Sequence, residues 1–247
     1  MSATGRGRRE GGVVGGPRSV TEIAVTALRG RILSGALAQG QHIGEQATAD
    51  GLGVSRAALR EALRVLERDG LVVTVPRAGS RVVTLSLRDA YEIVTLREHL
   101  ERLAVEHGVP RPVPRALAAM ERAVAGMELT ATRGDESRAA ADGVAFHLAL
   151  LGLPGHRQLL AAFAVIEQPL GLLMGLNRRA SARSESLADR AARHRRVLEL
   201  VHDGDPLAVL AELGSHPTTG FLEAGVLPDD DADEAVLSWR AARTQRR

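Results

Sequence analysis

The helical hydrophobic period of this chain is interrupted only once along its length. From residue 19 to residue 70, apolar side chains recur at intervals of three and four. Two β-branched runs, 71–75 and 80–84, then flank Pro76-Arg77-Ala78-Gly79. From residue 87 onward the helical spacing returns, with no further strand signal. A pattern of period 3.6 does not settle as a strand, nor a pattern of period two as a helix. The chain is therefore confined to a mainly α fold with a single hairpin, its turn marked by Pro and Gly. Aromatic residues make up only 2% of the chain, so the core is Leu, Val and Ala, which favours helices over an aromatic-rich sandwich.

The segment before the hairpin reads as three helices. The first begins at Ser19 or Thr21, carries Ile23, Leu28, Ile32 and Leu33, and stops at Gly35. A short second helix covers about residues 45–50. After the turn Gly51-Leu52-Gly53-Val54, Ser55 is placed to cap a third helix ending near Asp69, with Gly70 just beyond. On that third helix Leu59, Ala62, Leu63 and Leu66 form the stripe to be buried. Arg56, Arg60, Arg64 and Arg68 fall four apart, drifting about 40° per step, and so form a second stripe opposite the first. Three helices plus a hairpin make a winged helix-turn-helix. In that arrangement Ser55, Arg56, Arg60 and Arg64 face duplex DNA, while Arg77 and Gly79 at the hairpin tip reach the adjacent minor groove or backbone. Arginine suits bidentate contact with guanine, and a helix N-terminus suits phosphate. The competing reading is a merely solvated face, with Glu61 pairing with Arg64.

Charge is distributed accordingly. Residues 1–90 hold 13 Arg against 8 acids, and residues 91–247 hold 19 Arg against 22 acids. A basic front joined to a mildly acidic back suits a polyanion-binding module coupled to something else. The chain has no lysine, so phosphate contacts fall to guanidinium, backbone N–H and hydroxyl groups.

Beyond the hairpin, helical patterns recur at about 88–107, 114–130, 136–152, 156–175, 183–203 and 205–225, as expected of an all-α bundle with short connections. The expected organisation is a flexible tail (1–17), a DNA-binding head (18–86), a helical ligand-binding domain (87–226) and a second tail (227–247). With no cysteine, thiol catalysis, disulfides and iron–sulfur clusters are excluded. The N-terminus lacks an apolar h-region. The longest apolar stretch, 161–176, is interrupted by Glu167, Gln168 and Pro169 and falls short of the roughly 20 residues of a spanning helix. A cytoplasmic location without membrane contact is the expectation.

The run Gly53-Val54-Ser55-Arg56-Ala57-Ala58-Leu59-Arg60-Glu61-Ala62-Leu63, continued by Leu66-Glu67-Arg68-Asp69-Gly70-Leu71, resembles the DNA-binding domain of the GntR family of bacterial transcription regulators. Pro76-Arg77-Ala78-Gly79-Ser80-Arg81-Val82-Val83 resembles that family's wing. The resemblance makes Arg56 and Arg60 the prime DNA contacts, supported by Ser55 and Gly79. Some family members carry an arginine where this chain has Gln46, so operator preference does not transfer.

The second half resembles the effector domain of the FadR-like subfamily, a helical (FCD-type) bundle that binds a small ligand, often a carboxylate, and often a divalent metal. The resemblance rests on Leu96-Arg97 with Glu101, Phe146-His147 with Leu150, His194 with Leu198, and His216. It implies a site of His147, His194 and His216. All three fall on apolar stripes, and imidazoles from separate helices meeting in a core suit Zn²⁺, Ni²⁺ or Mn²⁺. The family's ligating Asp usually sits four residues before the first of these histidines, where this chain has Gly143. Asp142 lies about 140° around the helix from His147 and joins only through a bulge, so the set is either three histidines alone or three with Asp142. Arg97 is placed either to clamp a ligand carboxylate or to pair with Glu101. Pro217 is expected to kink or break the last helix near His216.

Together these features describe a homodimeric regulator that binds a double-stranded operator and responds to a small-molecule effector. Two rivals remain: a metal-dependent hydrolytic enzyme, against which the chain offers no H-E-x-x-H, G-x-S-x-G or P-loop, and a non-specific architectural DNA binder.

Overall fold

A computed structural model describes residues 19–181, 185–216 and 219–244. The expected tail of residues 1–17 lies outside them.

The first helix, α1 (Val20–Ser34), is held by a capping box. Ser19 Oγ accepts from the Glu22 amide while Glu22 accepts from the Ser19 amide, and Gly35 ends the helix at φ 82°. Its buried residues are Ala24, Val25, Leu28 and Ile32. Ile23, expected on that stripe, is 48% exposed. A two-residue strand that the periodicity could not show, β1 (His42–Ile43), precedes α2 (Glu45–Leu52) and α3 (Arg56–Arg68). The hairpin is β2 (Val72–Val75) and β3 (Gly79–Val82), and β1 adds to it in the antiparallel order β1-β3-β2, with His42 opposite Arg81. So short a strand carries no period to read; only the neighbouring strand defines it.

The bundle follows as α4 (Leu87–Gly108), α5 (Pro114–Arg133), α6 (Glu136–Gly152), α7 (Arg157–Ser181), α8 (Leu187–Asp203), α9 (Pro206–Gly214), α10 (Gly220–Glu223) and α11 (Glu234–Thr244). The helix expected over 205–225 is two pieces, with His216 in the non-helical connection between them. Pro169 lies inside α7 without ending it. Residues 157–180 are long and apolar enough to cross a membrane. Here Leu159, Phe163, Leu172 and Leu173 of that helix are buried, while Leu160 and Val165 stand 38% and 76% exposed.

The head and the bundle are not separate bodies of core. One hydrophobic cluster runs from Ala24, Leu28 and Leu59 in the head through Ala90 and Val94 of α4 to Phe163 and Leu173 of α7. A second cluster, including Val105, Met120, Phe146 and Leu198, fills the far end of the bundle. At the junction a Cβ on Gly171 would meet Leu33 Cδ2 at 3.2 Å, and one on Gly175 would meet the Leu33 carbonyl at 3.0 Å. α1 therefore approaches α7 as closely as two glycines allow.

The C-terminal segment straps the start of α4. The Leu87 amide donates to the Pro228 carbonyl (2.7 Å), Ser86 Oγ to Asp231 (2.9 Å), and Arg88 to Asp233 (2.9 Å). Further along, Trp239 packs edge-on against Tyr91 at 5.6 Å, and Arg243 pairs with Glu98 at 2.6 Å. Trp239→Ala removes the ring contact and leaves α4 uncovered there. It should destabilise the protein by about 2 kcal/mol, seen as a fall in Tm of roughly 5 °C in a thermal melt.

Candidate functional site

The first candidate surface lies on α3. Ser55 Oγ accepts from the Ala58 amide at 3.2 Å, the N-cap expected from the sequence. Leu59, Ala62, Leu63 and Leu66 are buried against the head core. On the opposite side Arg56, Arg60 and Arg64 keep 56%, 55% and 67% of their side-chain surface exposed. Glu45, at the start of α2, joins this surface without having been visible in the sequence. Its carboxylate lies 2.8 Å from Arg60 Nε and 3.7 Å from an Arg56 Nη, holding the two guanidinium groups side by side. Arg64 pairs with Glu61 at 2.8 Å, the solvated-face pairing foreseen as the alternative. Exposed pairs of this kind contribute only about 0–1 kcal/mol, so a phosphate or base edge can displace them. On the wing, Arg77 has φ 65° and Gly79 φ 79°. A Cβ on Gly79 would come within 2.8 Å of His42 Nε2, so the turn needs glycine there on both counts. Gln46 is exposed and donates to Asp50.

The second candidate site is inside the bundle. Arg97 and Glu101 on α4 are 5% and 6% exposed, and Arg97 Nε donates to Glu101 Oε1 at 2.8 Å. The two roles offered for Arg97 by the sequence are thus not exclusive. The pair is made, and Arg97 Nη2 also lies 3.1 Å from both ring nitrogens of His147. His147 Nδ1 is 2.9 Å from the same Glu101 oxygen. With Nδ1–H donating to Glu101, Nε2 accepts from Arg97. His194 Nδ1 donates to the Arg190 carbonyl at 2.7 Å, which leaves its Nε2 as a bare acceptor. His216 Nε2 is buried with no hydrogen-bond partner. The ring centroids of His147 and His194 are 5.5 Å apart, and those of His194 and His216 are 5.3 Å apart. A cavity of about 140 Å³ adjoins all three rings, and it shares Arg97 and His216 with a wider groove of about 640 Å³ bounded by α4, α9, α10 and α11.

The geometry bears on the expected metal. Imidazoles sharing a tetrahedral ion have centroids about 5 Å apart, so each neighbouring pair is well spaced, and the orphaned Nε2 of His216 is a donor without a role. His147 does not fit, because both ring nitrogens are already within hydrogen-bond distance of buried charged groups, Arg97 Nη2 at 3.1 Å from each and Glu101 at 2.9 Å from Nδ1. Gly143, one turn before it, supplies no ligand. Asp142 does not join: its carboxylate contacts Arg138 at 3.3 Å and Thr130 at 3.4 Å. Among the described residues no group of three or more His, Asp or Glu is arranged to hold an ion. The expected set of His147, His194, His216 and Asp142 therefore does not fit a divalent metal as the chain stands.

Burial and mutual repulsion keep the rings neutral. Burial first, then His147, hold His194 down at about 3, and burial with His194 and His147 hold His216 at about 2. Burial and the Arg97 charge also lower His147. For Glu101 burial opposes ionisation, but Arg97 and His147 outweigh it and hold the carboxyl at about 2. A histidine with a depressed folded pKa lets the unfolded chain bind protons first as pH falls below about 6.5. The associated stability is full above that pH and is lost below it, and Glu101 adds a further loss below about 4.3. Thermal melts should show Tm falling by several degrees between pH 6 and pH 5, since each histidine contributes a slope of up to about 1.4 kcal/mol per pH unit. His216→Gln should flatten that slope.

A family model described as bacterial regulatory proteins, gntR family, matches residues 21–82, and one described as the FCD domain matches residues 92–218. An uncharacterized HTH-type transcriptional regulator, YdhC of Bacillus subtilis (strain 168), is 30% identical over 175 residues, covering 70% of this chain and 77% of that protein. A probable D-xylose utilization operon transcriptional repressor of Paenarthrobacter nicotinovorans is 29% identical over 212 residues, covering 83% of this chain and 88% of the relative. The crystal structure of a putative transcriptional regulator GntR from Rhodococcus sp. RHA1 superposes with a TM-score of 0.70 at 20% identity, covering 83% of this chain and 98% of that one, which shows a common fold.

Proposed function

This chain belongs to the GntR family of bacterial regulatory proteins and carries an FCD domain, and on that premise we propose how its residues divide the work of a ligand-responsive, DNA-binding transcription regulator. Residues 18–86 are the DNA-binding head, 87–226 the effector domain and 227–247 a C-terminal segment. Ser55, Arg56, Arg60 and Arg64 meet the operator from α3, and Arg77 and Gly79 meet it from the wing. One observation carries this reading. The three arginines are more than half exposed on the side of α3 opposite Leu59 and Leu66, which are fully buried. Glu45 holds Arg56 and Arg60 ready for bidentate contact, so little side-chain entropy is lost on binding.

The bundle cavity is a sensing site for a small carboxylate anchored by Arg97, not a catalytic centre. The protein acts in the cytoplasm as a homodimer, with two heads addressing two half-sites of a palindrome. Exposed Leu160 and Val165 on α7, with Leu96 of α4 at 43% exposure, supply apolar surface for the second copy.

Arg60→Ala should weaken operator binding about tenfold or more in a gel shift at fixed salt, since a good bidentate pair discriminates by about 1–3 kcal/mol. Scrambled duplex should bind on the order of a thousandfold more weakly than operator. Equal affinity for the two would favour an architectural protein instead. Val165→Glu should convert dimer to monomer in light scattering after size exclusion; an unchanged dimer would remove α7 from the interface.

A further inference from the structure

A pocket of about 360 Å³ lies where the head meets the bundle, and it shares no lining residue with the cavity beside the histidines. Its size falls among small-molecule sites. Four stretches of chain enclose it: the end of α1 with the loop that follows, Thr84 between wing and bundle, the second half of α7, and Val226 with Pro228. Of its apolar lining, Ile32, Leu37 and Leu172 are buried and Val226 is 53% exposed. The charge of this lining is one-sided. Arg179 is its one charged residue, and no acid among the described residues forms an ion pair with it. Its guanidinium lies over Gly35, the C-cap of α1, where a Cβ would stand 2.5 Å from Nη1. A helix C-terminus carries about half a negative charge, enough to attract the guanidinium and too little to neutralise it. Gln39 supplies further donors. Its Oε1 accepts from the Leu85 amide at 2.9 Å, and its Nε2 is left buried without a partner, a costly state that an incoming oxygen relieves. One uncancelled cation, spare donors and no acid, set among aliphatic side chains, match a ligand with an apolar body and a single anionic head.

We propose that this junction pocket is a ligand site in its own right, taking a small monocarboxylate with an aliphatic or aromatic body. The carboxylate meets Arg179 and the body lies on Ile32, Leu37 and Leu172. Such an occupant touches the head, the stretch from wing to bundle and α7 at once, so binding fixes how the head sits on the bundle. Gln39 ties the pocket to that stretch directly, because the same side chain holds Leu85. The inference stands whether or not the cavity beside the histidines is a sensing site.

The test is thermal unfolding of the full chain with cyclohexanecarboxylate, 4-phenylbutyrate, acetate and cyclohexanecarboxamide, each titrated over the same range. At least one of the first two should raise Tm by about 4 °C near a tenfold excess over Kd. Acetate lacks the body and the amide lacks the charge, so both should shift it far less. Ala38→Trp, at an exposed position in the lining, fills the pocket and should abolish the shift, as should Arg179→Gln. Val144→Trp, which puts the same ring on the wall of the bundle cavity, should leave it intact. If Ala38→Trp fails to fold, Arg179→Gln decides. In a gel shift, the carboxylate that binds should change operator affinity about fivefold or more, and should not do so in Arg179→Gln. Three results would overturn the proposal: equal shifts for the amide and the large carboxylates, no shift with either large carboxylate, or a shift that survives Ala38→Trp and Arg179→Gln. A rise in Tm with operator affinity unchanged would reject the action on the head. A chain that binds no operator even without ligand would fail the regulator reading, while the melts still decide whether the pocket binds.

Discussion

The contact between Leu33 of α1 and the glycine face of α7 is what makes this chain one machine and not two. Gly171 lines the bundle cavity and also admits the Leu33 side chain, so a single turn of α7 is wall to the cavity and seat to the head. Gly175, one turn on, admits the Leu33 backbone in the same way. Packed cores pass a displacement of one element to the elements seated on it, and here the head is seated on α7. A coupling of about 1–3 kcal/mol suffices to switch DNA affinity. The second tie runs through the start of α4, where Pro228, Asp231 and Asp233 hold residues 86–88, the only backbone connection from wing to bundle.

Two arginine populations stand at the two candidate sites, and their surroundings separate them. On α3 the guanidinium groups are exposed and held by Glu45 and Glu61 in pairs so weak that DNA can replace them. In the bundle, Arg97 is buried with Glu101 in a pair whose removal from one side would strand a charge in the core. The first arrangement gives a surface ready to exchange partners. The second gives a rigid anchor whose remaining donors are available only to a molecule that enters the cavity.

The head was largely readable because its determinants are local. The Ser55 cap, the Gly35 stop and the opposed stripes of α3 each lie within a few residues of the structure they create, whereas α2 runs on to Leu52, into the segment expected as a turn. Ile23 went astray because α1 is apolar on more than one side, and the side that is buried depends on where α3 and α7 sit. β1 escaped because two residues have no period. The surroundings of the expected metal ligands were not legible because they depend on a contact that spans fifty positions: no spacing rule reveals that Arg97 reaches the ring of His147.

Taken alone, the amino-acid order determined the helix–hairpin–helix succession, the capped recognition helix with its arginine row, and the inward placement of His194 and His216. Each follows from periodicity and end signals that act through the adjacent backbone. Tertiary structure decided which partners those side chains meet. It set Glu45 against Arg60, turned Asp142 away from the histidines, put a guanidinium where an ion was expected, and laid α11 across α4. Those outcomes depend on close packing between segments far apart in the chain, and short-range pattern carries no information about them.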